Sequence, residues 1–316
     1  MKIQPCSILL PIYNGSQFLK QSIDSNLKTM RIEDELVIVN DGSTDTTTKD
    51  LTDWERYDSR IRVVNRKHFG LVNSLNFGIS ICSNEYIARA DIDDIYRPDR
   101  IIKQVSYLES NPNCGAVFSD YEIKTIKGKS LGIIPTAISN ALTRFSLLNS
   151  VRTAHPSVMF RKSAVIAAGE YIDSDFPTED LSLWIRLSNI CQIGTIPEIL
   201  LFFTQHTNSV TSNSQLLMKN KTRKLISNFV ENIDINDVLN DADSMLQIYD
   251  KFSEPTARKL LFFRDLFKYA KLTGMAELNQ IPKYLVRYRN ALNLNTIPVL
   301  INMKKDQYLR NSLRNS

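Results

Sequence analysis

Short runs of consecutive apolar residues alternate with stretches of helical periodicity along the first third of the chain. Uninterrupted apolar runs are typical of strands that are buried on both faces of a sheet. Two such strands are predicted, at residues 7–10 and 36–39, and two further strands that include charged residues are predicted at 61–64 and 85–89. Each is followed by a loop and a helix, and these helices are predicted at residues 16–29, from about residue 46, at 71–81 and at 98–109.

This order of strand, loop and helix predicts an α/β fold in which a mostly parallel sheet is flanked by helices. In such sheets, ligands bind beside the carboxyl ends of the strands. Polar segments follow all four predicted strands, at residues 13–15, 40–45, 65–70 and 91–94. Each segment alone is more typical of a structural loop, and it is the convergence of four of them that indicates a ligand site.

The segment after the fourth strand carries three carboxylates, on Asp91, Asp93 and Asp94. If the strand continues this far, Asp91 and Asp93 point to the same face. Two oxygen ligands on one face suit Mg²⁺ or Mn²⁺ that is shared with a phosphate. The segment alone leaves two interpretations open, a polar surface loop and a metal site.

The pattern is less regular after residue 113. Strands are predicted at residues 116–118 and 191–203, with a third after the loop that begins at residue 155. A hairpin or excursion is predicted at residues 124–131, and helices at 138–148, 163–168 and 178–190. From residue 212 onward the apolar spacing is helical throughout. We therefore predict one domain over residues 1–211 and a helical C-terminal region over residues 212–316.

Two acidic residues, Glu179 and Asp180, fall in the first turn of the helix whose predicted N-cap is Thr178. Acidic side chains at this position stabilise a helix through its dipole by about 0.3–1 kcal/mol. That local effect is sufficient to explain both acids, so their position alone assigns them no chemical role.

The composition is that of an ordinary globular protein, with 43% hydrophobic and 23% charged residues and a formal net charge of +5. The charge is unevenly distributed. Residues 251–316 contain thirteen basic and four acidic side chains, so they contribute +9 and the rest of the chain contributes −4. A basic helical region of this kind is attracted to anionic membrane surfaces, which is the preferred hypothesis, and a solvated surface or an oligomer contact is the alternative.

The cysteines are far apart and form no CxxC pair; they are Cys6, Cys82, Cys114 and Cys191. We expect reduced thiols in a cytoplasmic protein. The apolar run between Pro5 and Pro11 is too short for a signal peptide, and the run at residues 199–203 is too short to span a membrane. The expected location is the cytoplasm, with peripheral attachment to the inner face of the membrane as a further hypothesis.

Six stretches, in this order, resemble the family 2 glycosyltransferases of bacterial polysaccharide synthesis: residues 11–15, 39–45, 73–79, 89–94, 155–161 and 179–184. The resemblance covers roughly residues 5–211. It implies a glycosyltransferase-A type fold, a nucleotide-sugar donor such as a UDP-sugar, and a Mn²⁺ or Mg²⁺ ion. It also implies transfer with inversion to a hydroxyl of a saccharide or lipid-linked saccharide, as in the synthesis of O-antigen, capsule or lipooligosaccharide.

The resemblance also implies roles for individual residues. The donor nucleotide would be bound by residues at the first three strand ends and at the start of the acidic segment, namely Pro11, Tyr13, Asp41, Arg66, Gly70 and Asp91. Asp93 would be the main metal ligand, and Asp91 would contact either the ribose or the metal. Asp180 would be the base that deprotonates the acceptor hydroxyl. Arg161 receives no role beyond a structural one, and His155 is expected in a loop near the acceptor.

The chain departs from the family pattern just before His206. The family often has Arg two residues before this His, where the chain has Thr204. His206 is therefore interpreted either as a further ligand of the metal or diphosphate, or as a surface-loop residue. The Thr leaves this position without the usual cation.

Two other functions are compatible with parts of the pattern. A nucleotidyltransferase also combines an α/β sheet with acidic metal ligands, but the first loop, residues 11–15, has no basic residue. A nucleic-acid-binding module would use the basic region, which includes Tyr284, Tyr288 and Tyr308. No RNA-binding motif is present, so nucleic acid is not an expected partner. The sequence leaves the oligomeric state open.

Overall fold

The computed structural model describes residues 3–136, 139–148, 153–206, 215–231 and 233. The chain divides into two compact units, Met1–Leu225 and Ile226–Ser316. The predicted boundary at residue 212 and the basic region from residue 251 both lie outside the described residues. The described part of the second unit is limited to residues 226–231 and 233.

The described residues contain nine strands and eight α-helices. The strands are β1 Cys6–Ile12, β2 Glu35–Asn40, β3 Ile61–Asn65, β4 Tyr86–Arg89, β5 Ile95–Tyr96, β6 Cys114–Thr125, β7 Ser130–Ile134, β8 Met159–Arg161 and β9 Gln192–Gln205. The helices are α1 Ser16–Thr29, α2 Thr47–Tyr57, α3 Leu71–Ile81, α4 Arg100–Ser110, α5 Asn140–Ser146, α6 Lys162–Ala167, α7 Glu179–Ser188 and α8 Gln215–Val230.

The first four strands form the parallel part of one sheet, in the order β3-β2-β1-β4. The central strand β1 is buried along its whole length, with Ile8 and Leu10 fully inaccessible to solvent. Because strands flank β1 on both sides and its two faces are covered, its sequence is a continuous apolar run. The expected α/β fold is confirmed, and the carboxyl ends of these strands share one edge of the sheet.

The rest of the sheet is mixed and continues in the order β8-β6-β9-β5, while β7 pairs with β6. Strand β8 is antiparallel to β4 and β6, β9 is parallel to β6, and β5 is antiparallel to β9. This arrangement brings the end of β9 next to the segment that follows β4. Residues far apart in the sequence therefore meet at the same edge as the parallel strand ends.

The fourth strand ends at Arg89, as predicted, and the chain turns at Ile92 and Asp93, so alternation along a strand does not place the acidic side chains. One local expectation is wrong. The helix expected to open at Pro98 begins at Arg100, because Pro98 lies in a turn and Asp99 occupies the N-cap position. In the part of the chain that the structure describes, no helix is both long and apolar enough to cross a bilayer.

Candidate active site

Asp41 joins the carboxyl ends of the first three strands. Its backbone N–H donates to the carbonyl of Ile12 at the end of β1, at 2.8 Å. Its Oδ1 and Oδ2 accept hydrogen bonds from the backbone N–H groups of Phe69 and Gly70, at 3.0 and 2.9 Å. These bonds satisfy a carboxylate that is only 3% exposed. Asp41 therefore shapes the loop after β3 as well as lying at the expected nucleotide site.

Tyr13 presents an aromatic surface at the same edge. It follows β1, which contains the buried Pro11, and its side chain is 47% exposed. The ring centroids of Tyr13 and His68 lie 4.2 Å apart, and His68 Nδ1 lies 2.9 Å from Asp41 Oδ2. A partly exposed ring held in this way is suited to stacking against a flat base.

The loop after β3 depends on close backbone contact with the loop after β2. Gly42 has φ = 75°, and a Cβ atom at this position would lie 2.7 Å from the backbone nitrogen of His68. A side chain at residue 42 would therefore be strained and would also push the loop away. Glycine is required for this approach.

Arg66 is held at the start of the same loop. Its Nη2 donates to Asn73 Oδ1 at 2.9 Å, and its guanidinium lies 4.0 Å from the centroid of the Phe77 ring. Both partners belong to α3, whose N-cap residue is Gly70 with φ = 89°. The predicted nucleotide-binding residues of the first three strands thus form one group along the sheet edge.

The three carboxylates after β4 come together through the turn. Asp91, Asp93 and Asp94 each offer one oxygen, and these oxygens lie within 4.8 Å of one another. Asp93 Oδ2 lies 2.7 Å from His206 Nε2. Asp94 Oδ1 accepts from the backbone N–H of Thr204 at 2.8 Å, so the end of β9 is fixed to the acidic turn. Because the donor is a backbone group, this contact does not require the Arg that the family often has at position 204.

The electrostatics of this cluster suit a divalent cation. Burial raises the pKa of Asp91, which the Arg89 guanidinium opposes. Burial also raises the pKa of Asp94 well above its usual value, and the charges of Asp93 and Asp91 add to this. Asp94 Oδ2 is buried without a hydrogen-bond partner among the described residues. Clustered carboxylate oxygens with an adjacent imidazole are suitable ligands for Mn²⁺ or Mg²⁺, so the residues present fit the expected metal.

Arg89 is a buried cation that interacts with the carboxylate cluster and with the acids of α7. It is 3% exposed and forms an ion pair with Asp91. Burial disfavours its charge, yet Asp91 raises the pKa of the guanidinium above its ordinary value. Its charge also opposes the rise that burial causes in the pKa of Glu179 and Asp180, so Arg89 acts on both the Asp91 side and the α7 side.

The N-terminus of α7 carries the second acidic group. Thr178 occupies the N-cap position as predicted, but its hydroxyl donates to the carbonyl of Asp175 and does not cap the helix. Asp180 Oδ1 accepts from the backbone N–H of Leu181 at 2.7 Å. Glu179 is 5% exposed, and its Oε2 has no hydrogen-bond partner among the described residues. Burial, rather than the dipole alone, dominates the environment of these acids.

Burial raises the pKa of Glu179 to about 7 and that of Asp180 to about 6. The neighbouring Asp180 charge adds to the shift of Glu179. Since the two carboxyls are adjacent and interact, they titrate as a pair. Because burial raises both pKa values towards neutrality, a carboxyl of this pair is suited to take up a proton near neutral pH, which is a property of a general base.

His155 lies beside this group and is a packing residue. Its Nε2 is 2.7 Å from the hydroxyl of Tyr171, and its ring lies edge-on to Trp184 with centroids 5.7 Å apart. Burial lowers the pKa of His155 well below its usual value, so the imidazole is neutral. The backbone of Tyr171 in turn exchanges hydrogen bonds with the Asn76 side chain, at 2.8 and 3.0 Å. This links α3 to the α7 side of the site.

Arg161 has the structural role that was expected. Its Nε and Nη2 donate to the carbonyls of Cys114 and Leu108, at 3.0 and 2.9 Å, and its Nη1 donates to the hydroxyl of Tyr86 at 3.1 Å. It therefore joins the end of α4 to strands β4 and β6.

Three residues were not assigned a role from the sequence: Arg89, Asp94 and Glu179. Asp94 was named there only as one of three neighbouring acids, and its carboxylate is part of the cluster. Arg89 carried a signal that could have been used, since a charged residue at the end of a buried apolar strand needs a partner. Glu179 had no comparable signal, because acidic residues in a first helical turn are common.

The family model of Glycosyl transferase family 2 matches residues 7–168. An uncharacterized glycosyltransferase of Haemophilus influenzae is 28% identical over 93% of this chain and 96% of its own length. The amylovoran biosynthesis glycosyltransferase AmsE of Erwinia amylovora is 32% identical over 62% of this chain and 74% of its own length. An Escherichia coli enzyme named UDP-Gal:alpha-D-GlcNAc-diphosphoundecaprenol beta-1,3-galactosyltransferase is 30% identical over 61% of this chain and 72% of its own length.

Solved structures show the same fold at low sequence identity. TarS 1–349 of S. aureus in complex with UDP-GlcNAc has a TM-score of 0.60 and 14% identity, covering 94% of this chain and 78% of its own. The mannosyltransferase PcManGT of Pyrobaculum calidifontis, in complex with GDP-Man and Mn²⁺, has a TM-score of 0.53 and 14% identity, covering 98% and 85%. The fold is thus of the glycosyltransferase-A type, and with a family model matched over half of its length the chain belongs to glycosyl transferase family 2 and is a glycosyltransferase.

Proposed function

We propose that this glycosyltransferase transfers a sugar from a UDP-sugar to an acceptor hydroxyl, with inversion and with a bound divalent metal. The observation that carries the proposal is that two acidic groups interact with the same buried Arg89. One group, Asp91, Asp93 and Asp94, has the ligand chemistry for a metal and a diphosphate. The other, with Asp180, has the burial and charge of a base.

The donor nucleotide would bind at the carboxyl ends of the first three strands. Tyr13 offers a ring for the base, while Asp41 and Arg66 hold the surrounding loops in place. The Escherichia coli relative is named for UDP-Gal and TarS is seen with UDP-GlcNAc, which supports a UDP-sugar as donor.

The metal would be held by Asp93, with Asp91 and His206 as further ligands. When bound, such an ion stabilises the negative charge that develops on the diphosphate leaving group. Asp93 Oδ2 and His206 Nε2 lie 2.7 Å apart, which supports their assignment to one metal site. The end of β9 is fixed by the hydrogen bond from Thr204 to Asp94, which keeps His206 at the site.

Asp180 would accept the proton of the acceptor hydroxyl. As that oxygen forms its bond to the anomeric carbon, the bond from this carbon to the diphosphate oxygen breaks, and UDP leaves with the bonding electrons. Attack from the face opposite the leaving group inverts the configuration and requires only one carboxylate on the acceptor side. A hydrolase would need an acid and a base on opposite sides of the bond.

The acceptor is proposed to be a saccharide or a lipid-linked saccharide in surface polysaccharide synthesis. One relative is named for amylovoran biosynthesis, and another for a diphosphoundecaprenol-linked sugar, which supports this class of acceptor. A lipid-linked acceptor would require the enzyme to work at the cytoplasmic face of a membrane. The basic residues 251–316 are suited to attachment there, although they lie outside the described residues.

A thermal-shift screen of nucleotide sugars with and without Mn²⁺ tests the donor and the metal together. A ligand that binds only the folded protein stabilises it by RT ln(1 + [L]/Kd), about 2.7 kcal/mol at one hundred times its Kd, and thereby raises the melting temperature. We expect stabilisation by one UDP-sugar, and a larger effect with Mn²⁺ present. Stabilisation only by a nucleoside triphosphate, with pyrophosphate as the reaction product, would favour a nucleotidyltransferase and contradict the proposal.

A further inference from the structure

A β-hairpin extends from the sheet beside the candidate metal site. It consists of the second half of β6 and of β7, with Tyr121 paired to Ile134 and Glu122 to Ile133. The chain reverses at Gly128, which has φ = 79°. Thr125, the last residue of β6, pairs with Gln205, which directly precedes His206. The tip of the hairpin, residues 126–129, therefore lies at the sheet edge that carries the active site.

The two faces of this hairpin differ. Ile123 and Ile134 pack against the hydrophobic core and are partly buried. On the other face Ile133 is 45% exposed, and at the tip Ile126 is 62% exposed. Single exposed apolar residues are common on protein surfaces. Here two exposed isoleucines lie on one small hairpin, next to a site whose proposed acceptor is lipid-linked. They indicate a surface that contacts an apolar partner.

The charge of the hairpin is positive. Lys127 and Lys129 at the tip are exposed, and neither forms a salt bridge within the described residues, whereas Lys124 pairs with Glu122 at 3.4 Å. In the sequence, the 47 residues from 123 to 169 include seven basic and no acidic residues. No carboxylate of this segment therefore offsets the two lysines at the tip.

We propose that the tip of this hairpin, Ile126, Lys127 and Lys129 together with Ile133, docks on an anionic lipid bilayer. The lysines are attracted to an anionic surface, and the isoleucines add the apolar contact that a soluble polyanion would not use. The proposal goes beyond the sugar transfer itself, because it names the surface on which that reaction takes place. It rests on the proposed function only for the lipid-linked nature of the acceptor.

Vesicle flotation with the full chain tests the contribution of charge. Wild type, Lys127→Glu/Lys129→Glu and the charge-matched control Lys28→Glu/Lys49→Glu are compared on vesicles of phosphatidylglycerol and phosphatidylcholine. Lys28 and Lys49 are exposed residues of α1 and α2. We expect the hairpin variant to bind these vesicles about tenfold or more weakly than the control, because two favourable lysines are replaced by repelled carboxylates. Equal binding by both variants, or no binding by wild type, would overturn the proposal.

A second pair of variants tests the apolar contact. Ile126→Ser is compared with Ile102→Ser, which changes an isoleucine of α4 that is 44% exposed. The net charge is the same in both, so a loss of vesicle binding only in Ile126→Ser indicates insertion of the tip into the lipid. If both bind like wild type while the lysine variant is weakened, the surface is a site for anions in general and not a bilayer contact.

A transfer assay separates this proposal from the proposed function. The hairpin lysine variant is expected to transfer sugar to a water-soluble, short-chain acceptor at the wild-type rate, and to a vesicle-borne acceptor about tenfold more slowly. Equal rates on both acceptors would contradict the docking surface and leave the transferase function intact. Absence of transfer by wild type would contradict the proposed acceptor class, whereas the flotation result would still decide the docking surface.

Discussion

At the level of single residues, Arg89 interacts with the acidic side chains of both groups in the site. Its guanidinium is buried, is paired with Asp91 and acts electrostatically on Glu179 and Asp180. A buried ion pair contributes little net stability, but removing one partner leaves an uncompensated charge. The acids on both sides of Arg89 would then be left without their shared cation.

We therefore expect Arg89→Met to destabilise the protein by about 3–5 kcal/mol, as measured by urea denaturation. Arg89→Lys keeps a positive charge and should recover part of this loss. The exposed residue Arg56 provides a control, since Arg56→Met should change the free energy of unfolding by less than about 0.5 kcal/mol. Equal stability of Arg89→Met and wild type would show that the buried cation is not needed to balance these carboxylates.

The assignment of Asp180 as base leads to a prediction for Asp180→Asn. The amide keeps the shape of the side chain but cannot take a proton, so transfer should fall by about a hundredfold or more. UDP binding should be unchanged, because Asp180 is on the acceptor side. Measurement of kcat together with UDP affinity by calorimetry checks both parts. Transfer near the wild-type rate would show that another group is the base.

Glu179 leads to a prediction for stability as a function of pH. Because burial raises its pKa from 4.5 to about 7, the folded protein holds the proton more tightly than the unfolded chain does. The resulting stabilisation is complete below about pH 4.5 and is lost as the pH rises to about 7. Glu179→Gln cannot ionise, so its stability relative to wild type should increase across this range by about 2 kcal/mol. Denaturation at pH 5 and pH 8 measures the change.

The matched control for this experiment is Glu55→Gln, which changes an exposed acid of α2. Its stability relative to wild type should be the same at both pH values. If Glu179→Gln behaves in the same way, the carboxyl of Glu179 is ionised at little cost in the folded protein. The buried Oε2 of Glu179 would then accept a hydrogen bond in solution.

At the level of elements, the helices with clear apolar spacing were predicted accurately. The predicted bounds 16–29 and 71–81 agree with α1 and α3, because both helices have one buried and one exposed face. Strand β6 was predicted over three residues and spans twelve, since it contains Ser119 and Asp120, which are buried but polar. Polar residues inside a strand remove the apolar run on which the prediction depends.

Local sequence patterns likewise identify only part of the carboxylate cluster and its neighbours. Its three acids are adjacent in the sequence and could be found there, whereas Asp93 and His206 are separated by 113 residues. Their contact depends on β5 pairing with β9, and strand order cannot be read from local patterns. The family resemblance supplied His206 as a candidate, and the sheet topology explains its position.

The contact between the loops after β2 and β3 leads to a prediction for Gly42→Ala. The alanine would be strained at φ = 75° and would meet the backbone of His68 at 2.7 Å, so the loop that carries Gly70 should move. We expect a loss of about 1–2 kcal/mol from the strain alone, and a further loss in UDP affinity. Urea denaturation and calorimetry with UDP measure the two effects.

Gly128→Ala is the matched control, because Gly128 has φ = 79° and no atom within 4 Å of the position of a new Cβ. It should show the loss from strain but bind UDP like wild type. A similar UDP affinity for both variants would indicate that the loop after β3 does not contribute to nucleotide binding.

At the level of the whole molecule, the candidate site and the excess of basic residues lie in different parts of the sequence. The described residues up to 206 carry the complete candidate site, while the basic residues 251–316 contribute +9 to the net charge of +5. A chain that ends at Asp250 would therefore have a formal charge of −4. It would still include α8, whose Lys221 donates to the carbonyls of Ser174 and Phe176 at 2.5 and 2.6 Å.

If the basic region attaches the enzyme to membranes, the chain that ends at Asp250 should bind anionic vesicles at least about tenfold more weakly than the full chain. Several basic residues are lost, and each contributes about 1 kcal/mol near an anionic surface. Binding by the full chain should fall as salt is raised from 50 to 500 mM, because surface charges are screened beyond the Debye length. UDP-induced thermal stabilisation should be the same in both chains. Equal vesicle binding by the full and the shortened chain would place membrane attachment outside residues 251–316. If the Lys127→Glu/Lys129→Glu substitutions weaken vesicle binding by the shortened chain further, the binding that remains after truncation is assigned to the hairpin.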